Sequence, residues 1–206
     1  MKKISIVSTL YYSEETIEEF CDRVISEVER LPNCVPELIL VDDGSPDNSR
    51  QLSLNLLKKD KRITLVELSK NFGHHHAMMA GLAQATGDFV FLIDSDLEEP
   101  PEVLREFFKC IKTEDLDVVY GKQKKRRGSL LSRFIGKIYY LTFRFLTGID
   151  QPDDIVTCRL MSKGYVEALL LHKENELSIG GIWLQTGFRQ KAVELVKGNT
   201  SKTTYT

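Results

Sequence analysis

The feature that most restricts the fold of this chain is an alternation over its first hundred residues: short β-rich runs take turns with segments of helical periodicity. Strands separated by helix-length crossovers lie parallel, with the helices on the faces of the sheet. The strands are read at 4–7, 38–41, 63–68, 89–93 and 118–120. Between the first two, Ile17, Phe20, Val24, Ile25 and Val28 recur at three- and four-residue steps, which predicts an amphipathic helix over 14–31. After the second strand, Asp47, Asn48 or Ser49 is placed to cap the next helix. Residues 76–86 read as a small-residue helix that can approach a sheet closely, ended by Gly87, and 102–112 as another that starts after Pro100-Pro101.

Several function classes are set aside by simple arithmetic. A chain of 206 residues is expected to form one domain and to bury about 70% of its unfolded surface, so it needs no disulfide or metal to fold. A net charge of -2 speaks against a nucleic-acid binder. No apolar run reaches the ~18–20 residues of a membrane span, and the opening residues lead into a strand instead of a signal peptide. Cys21, Cys34, Cys110 and Cys158 lie far apart without a CxxC spacing and read as reduced cytosolic thiols.

Chemistry is concentrated where strands end. In an open parallel sheet, ligands sit outside the carboxyl ends of the strands. Asp94 and Asp96 follow the strand 89–93 at such an end. If the strand continues, their side chains point the same way and can share a hard cation whose shell substrate phosphates complete. A plain acidic turn would have the same sequence. Asp42 and Asp43 follow the second strand, where carboxylates can accept from a base N–H or a ribose hydroxyl, or merely close an Asx turn. His74-His75-His76 has no partner at zinc spacing, so a single histidine at a ligand is the more natural reading than a metal site. Glycine-rich phosphate loops and the Gly-Xaa-Ser-Xaa-Gly elbow are both missing.

Between Gly121 and Ile149 stand eight Lys or Arg residues and no Asp or Glu. Wound as a helix, this stretch carries Leu131, Phe134, Ile135, Ile138, Leu141, Thr142 and Phe145 on one face, with Arg133, Lys137 and Arg144 opposite. It reads equally as an interfacial membrane helix, with the basic segment 122–146 on the lipid surface, or as a core-packing helix with a solvated basic face.

An ordered series of motifs then points to a family. Tyr11 with Glu14-Glu15, Val41-Asp42-Asp43-Gly44-Ser45-Pro46-Asp47, Lys70-Asn71-Phe72-Gly73-His74, Ala80-Gly81-Leu82, and Asp94-Ser95-Asp96-Leu97-Glu98-Glu99-Pro100-Pro101-Glu102 follow one another. The series continues through Arg126-Arg127-Gly128, Cys158-Arg159-Leu160-Met161-Ser162 and Gly187-Phe188-Arg189-Gln190. Over nearly the whole chain this resembles the family 2 glycosyltransferases of the GT-A fold, more narrowly the branch of dolichyl-phosphate mannose synthases and bacterial polyprenyl-phosphate glycosyltransferases. The resemblance implies an α/β fold with a mixed, mainly parallel sheet flanked by helices and a basic helical segment after the core. It implies a nucleotide-sugar-binding half over 1–120 and an acceptor- and membrane-facing half over 121–206.

Residue by residue, the resemblance makes Asp42 and Asp43 nucleotide-contacting acids, with Thr9, Tyr11 and Asn71 in the same nucleotide-binding motifs. Asp94 becomes the acid near nucleotide and metal, Asp96 the metal ligand, and Glu98 a further ligand at a position where this branch often has Gln. Arg126, Arg127 and Arg133 match basic positions associated with donor and acceptor phosphates. The implied cofactor is a divalent cation, Mg²⁺ or Mn²⁺. The implied partners are a nucleotide-sugar, with UDP the expected nucleotide, a polyprenyl-phosphate acceptor at the cytoplasmic face of a membrane, no nucleic acid, and an oligomer left open. The chain departs from the family at Thr9 (usually Pro), at Tyr12-Ser13 (usually Asn-Glu), at Thr157 (often Asp) and at Gln123 (often Arg).

Relatives of this branch usually carry two C-terminal transmembrane helices, so the chain is expected to be a catalytic domain cut short of them, the alternative being docking through its basic helix. An anionic lipid phosphate needs no strong protein base, whereas a hydroxyl acceptor of a growing glycan would need one. Asp153, Asp154, Glu174 and Glu176 form no pattern that singles one out for that role. A nucleotidyltransferase is disfavoured because the loop Ser8-Thr9-Leu10-Tyr11-Tyr12 has neither Gly nor a basic residue, and a non-catalytic scaffold because Asp94 and Asp96 are intact.

Overall fold

A computed structural model describes residues 1–123, 155–172 and 179–196. In chain order the elements are β1 (Lys2–Leu10), α1 (Ile17–Glu29), β2 (Cys34–Asp42), α2 (Ser49–Lys59), β3 (Ile63–Glu67), α3 (His74–Leu82), β4 (Phe89–Leu92), α4 (Val103–Thr113) and β5 (Val118–Gln123). Then follow β6 (Ile155–Ser162), α5 (Lys163–Leu169), α6 (Ile179–Gln185) and β7 (Gln190–Leu195). The strands make one sheet in the order β3-β2-β1-β4-β6-β5-β7. β6 pairs antiparallel with both β4 and β5, and every other neighbouring pair is parallel. Within this mainly parallel sheet, β6 and β7 have no counterpart among the strands read from the sequence. The basic segment from 124 on, with the helix expected there, lies outside the described residues.

Alternation along the strands divides the core into two layers. Ile4, Ile6 and Leu10 of β1, Leu38 and Leu40 of β2, and Phe91 of β4 face the layer that buries α1 and α4. Val7, Ile39, Val41, Val90 and Leu92 face the other layer, under α3, α5 and Trp183 of α6. Strands covered on both faces read as unbroken apolar runs, which is why these stand out in the amino-acid sequence.

α3 is shorter and begins earlier than its composition suggests, starting at His74 and ending at Leu82. It lies close against the sheet because Gly81 has no side chain: a Cβ there would meet Val7 Cγ1 at 2.5 Å and Val41 Cγ2 at 2.7 Å. The cap of α2 is shared between elements. Ser49 N donates to Asp47 Oδ1 at 3.1 Å, and Asn48 N donates to Glu14 Oε2 at 3.0 Å. On the far side of the sheet, the Arg159 guanidinium is buried against the Trp183 ring and donates to the carbonyls of Thr157 and Val156. Burial pulls its pKa down to about 9, so it stays charged near neutrality. Among the described residues no helix is long and apolar enough to cross a membrane.

Candidate active site

The chain leaves β1 towards β2 on one side and returns in β4 on the other, so the strand order reverses between β1 and β4. Such a reversal opens a crevice at the carboxyl ends of the strands, where open α/β sheets bind ligands. A cleft of about 210 Å³ lies here, lined by Thr9, Tyr11, Ser13, His74, Asp94, Ser95, Asp96 and Glu98. That is less than the roughly 300–1,000 Å³ typical of a ligand pocket.

The acidic turn is built by continued alternation. The β1–β4 ladder ends where Val7 pairs with Leu92, and Ile93 N still donates to Val7 O at 3.1 Å. Beyond it Asp94 and Asp96 are half-buried on the cleft, while Ser95 between them is buried. Ser95 Oγ donates to the Thr9 carbonyl at 3.1 Å and lies 3.0 Å from Ser13 Oγ. Asp96 Oδ1 accepts from Glu98 N at 2.9 Å, closing a turn in which Leu97 takes a left-handed φ of 61°. Asp94, Asp96 and Glu98 therefore all line one cleft, and carboxylate oxygens are the donor type that a hard divalent cation takes. Among the described residues no preassembled cluster of three His, Cys, Asp or Glu ligands is present.

Asp42 and Asp43 do different work from each other. Asp43 is wholly buried; its Oδ1 accepts from Phe72 N at 2.7 Å and its Oδ2 from Gly73 N at 3.0 Å. It thus staples the loop that leads into α3. Asn71 joins the same loop, its Oδ1 accepting from Gly73 N at 2.9 Å. Gly73 has φ 92°, a backbone that strongly favours glycine. Asp42 Oδ1 accepts from Ser45 N at 3.1 Å, and burial raises its pKa. Gly44, also left-handed, lets the Asp42–Ser45 turn touch the Lys70–Asn71 backbone: a Cβ there would lie 2.7 Å from Asn71 N. Asp42, Asp43 and Asn71 are not among the residues that line this cleft.

His74, the first residue of α3, enters the cleft between β1 and β4. Its Nδ1 is 3.0 Å from Thr9 Oγ1 and its Nε2 is 3.4 Å from Asp94 Oδ1. Burial, with a smaller contribution from neighbouring His75, lowers its pKa to about 4, so the ring is neutral at pH 7. Sequence reasoning places Thr9, Tyr11, Asp94, Asp96 and Glu98 at the site, and the fold brings all five to one cleft. It does not single out His74, Ser13 or Ser95. The signal for Ser95 is its place between the two acids, and for His74 its place at a helix start after Gly73. Arg126, Arg127 and Arg133 lie outside the described residues, as do Asp153, Asp154, Glu174 and Glu176.

Residues 5–170 match the family described as Glycosyl transferase family 2. The chain belongs to that family. A Mycobacterium tuberculosis (strain CDC 1551 / Oshkosh) protein named among glycosyltransferases is 44% identical over 204 residues, covering 99% of this chain and 59% of that protein. An undecaprenyl-phosphate 4-deoxy-4-formamido-L-arabinose transferase of Photorhabdus laumondii is 31% identical over 196 residues, covering 95% of this chain and 59% of its own length. The chain thus spans about three fifths of these curated relatives. Among solved structures, a Pyrobaculum calidifontis mannosyltransferase in complex with GDP-Man and Mn²⁺ superimposes with a TM-score of 0.67 at 18% identity, over 97% of this chain and 57% of that one. Glucosyl-3-phosphoglycerate synthase from Mycobacterium tuberculosis, in complex with Mn²⁺ and UDP-glucose, gives 0.63 at 22% identity, over 96% and 71%. The family 2 fold is therefore GT-A, with the acidic turn at its switch point.

Proposed function

We propose that this family 2 domain transfers a sugar from a nucleotide-diphosphate sugar, with UDP as the nucleotide, to a polyprenyl phosphate, inverting the anomeric centre. The observation that carries the reading is the convergence of Asp94, Asp96 and Glu98 on one cleft at the β1–β4 switch point. The Photorhabdus relative, named for an undecaprenyl-phosphate acceptor, supports the lipid phosphate. The UDP-glucose and GDP-Man complexes of the two structural neighbours support a nucleotide-sugar and Mn²⁺.

Asp96 and Glu98 would hold the divalent cation, and Asp94 would lie near the nucleotide and the cation. When bound, such a cation neutralises the diphosphate and favours its departure. Tyr11 and Thr9 wall the cleft towards the nucleoside. Asp43 keeps the Phe72–Gly73 loop in place, so that α3 enters the cleft in one position. The acceptor phosphate is anionic at pH 7. One of its oxygens forms the bond to the anomeric carbon from the face opposite the nucleotide, and the bond from that carbon to the diphosphate breaks, its electron pair leaving with the nucleotide. Arg126, Arg127 and Arg133 would bind the acceptor phosphate through charge-assisted hydrogen bonds, with the segment 122–146 against the cytoplasmic face of the membrane.

Thermal unfolding with UDP, GDP and CDP, each with and without Mn²⁺, tests this. A ligand that binds only the native chain adds about 2.7 kcal/mol at a hundredfold excess over Kd. A Mn²⁺-dependent rise with UDP is expected, followed by sugar transfer to a polyprenyl phosphate. A rise with GDP alone would refute the choice of UDP, and no rise with any nucleotide would refute the reading.

A further inference from the structure

Thr9 is buried at the end of β1, on the face that α3 covers. Two residues earlier, Val7 pairs with Leu92, so Thr9 and Asp94 stand side by side beyond the end of the ladder and on the same face. The His74 ring lies between them, Nδ1 3.0 Å from the Thr9 hydroxyl and Nε2 3.4 Å from the Asp94 carboxylate. A carboxylate offers only lone pairs, so the ring nitrogen facing it carries a proton. Nδ1 then keeps its lone pair and accepts from the Thr9 hydroxyl. The same residue also grips the acidic turn directly, since its carbonyl accepts from Ser95 Oγ at 3.1 Å. Thr9 thus reaches both Asp94, through His74, and Ser95, through its backbone.

We propose that Thr9 and His74 are positioning residues for the glycosyl transfer. The Thr9 hydroxyl fixes the rotation and tautomer of the His74 ring, and the ring sets the Asp94 carboxylate towards the nucleotide–metal complex. The 3.4 Å contact is long for a hydrogen bond and is expected to shorten when the nucleotide and cation fill the cleft, as catalytic hydrogen bonds commonly do on ligand binding. Outer partners of this kind typically change metal affinity or activity by roughly 10- to 100-fold when removed. The inference rests on the function proposed above.

The test uses the full 206-residue chain. Calorimetric titration with UDP and with GDP, each with and without Mn²⁺, is made on wild type, Thr9→Val, Thr9→Ser and His74→Gln. Val keeps the shape of Thr but lacks its hydroxyl, and Ser restores the hydroxyl. Thr9→Val and His74→Gln are expected to lose roughly 10- to 100-fold in the Mn²⁺-dependent part of nucleotide affinity. Metal-free affinity should fall less than the Mn²⁺-dependent part, and Thr9→Ser should bind like wild type. Wild-type Mn²⁺-dependent affinity in Thr9→Val overturns the inference. So does a loss shared equally by metal-free and metal-dependent binding, or a Thr9→Ser that fails as badly as Thr9→Val. A wild type that binds neither nucleotide in a Mn²⁺-dependent way overturns the proposed function and this inference with it, a result distinguishable from the others at the first titration.

Discussion

Replacing Asp43 by Asn separates a carboxylate that builds the site from one that only touches a ligand. Asp43 is fully buried and accepts from two backbone donors, Phe72 N at 2.7 Å and Gly73 N at 3.0 Å. Asparagine has one acceptor oxygen. Its amide nitrogen would face Gly73 N donor to donor, so that bond is lost, while Gly73 N keeps its bond to Asn71 Oδ1. Hydrogen bonds to a charged group contribute about 1.5–3 kcal/mol each, so a loss of about 2 kcal/mol is expected. For a chain of this length each kcal/mol moves Tm by about 2–4 °C, giving a fall of about 4–8 °C in a calorimetric melt without nucleotide. The Lys70–Gly73 loop also delivers His74 to the cleft, so nucleotide binding should weaken as well. A variant that melts like wild type yet no longer binds nucleotide would refute the staple and make Asp43 a ligand contact alone.

Other expectations follow from single contacts. Gly81→Ala should lower Tm in the same melt, because the overpacking against Val7 and Val41 costs about 1–3 kcal/mol, more than the ~1 kcal/mol that alanine adds to a helix; a higher Tm would show that α3 can lift at no cost. Asp96→Asn should abolish sugar transfer and the Mn²⁺-dependent stabilisation by nucleotide while leaving the unliganded Tm near wild type, since the amide oxygen can still accept from Glu98 N. Glu37 supplies a pH dependence. Burial pushes its carboxyl up, but hydrogen bonds from Lys3, Ser5 and Thr86 outweigh this and hold it at about 2 instead of 4.5. Its stabilisation is therefore complete above pH 4.5 and fades as pH falls towards 2, so the Tm difference between wild type and Glu37→Gln should narrow across that window; a gap constant with pH would refute it.

Local chemistry makes much of the fold and part of the site readable from the sequence. Apolar runs such as 38–41 and 89–93 are long enough only for strands buried on both faces, and their spacing by helix-length segments leaves little but a parallel sheet. The same logic puts Asp94 and Asp96 at a carboxyl end, and the ordered motifs supply the family. β6 is not legible in this way, because its antiparallel place between β4 and β5 is fixed by pairing with other strands, not by any pattern of its own. The division of labour between neighbouring acids is likewise out of reach. Asp43 faces the α3 loop, and only the close approach of that loop, allowed by Gly44, decides that its oxygens meet Phe72 and Gly73. In the sequence His74 is one of three equivalent histidines; the strand reversal sets it apart by bringing Thr9 and Asp94 to its two ring nitrogens. Sequence determined which residue types could do chemistry and at which strand ends, since periodicity and turn-forming tendency act over a few residues. Tertiary structure decided which of them meet, because hydrogen bonds of about 3 Å join segments some twenty to ninety positions apart, and only the packed sheet sets those distances.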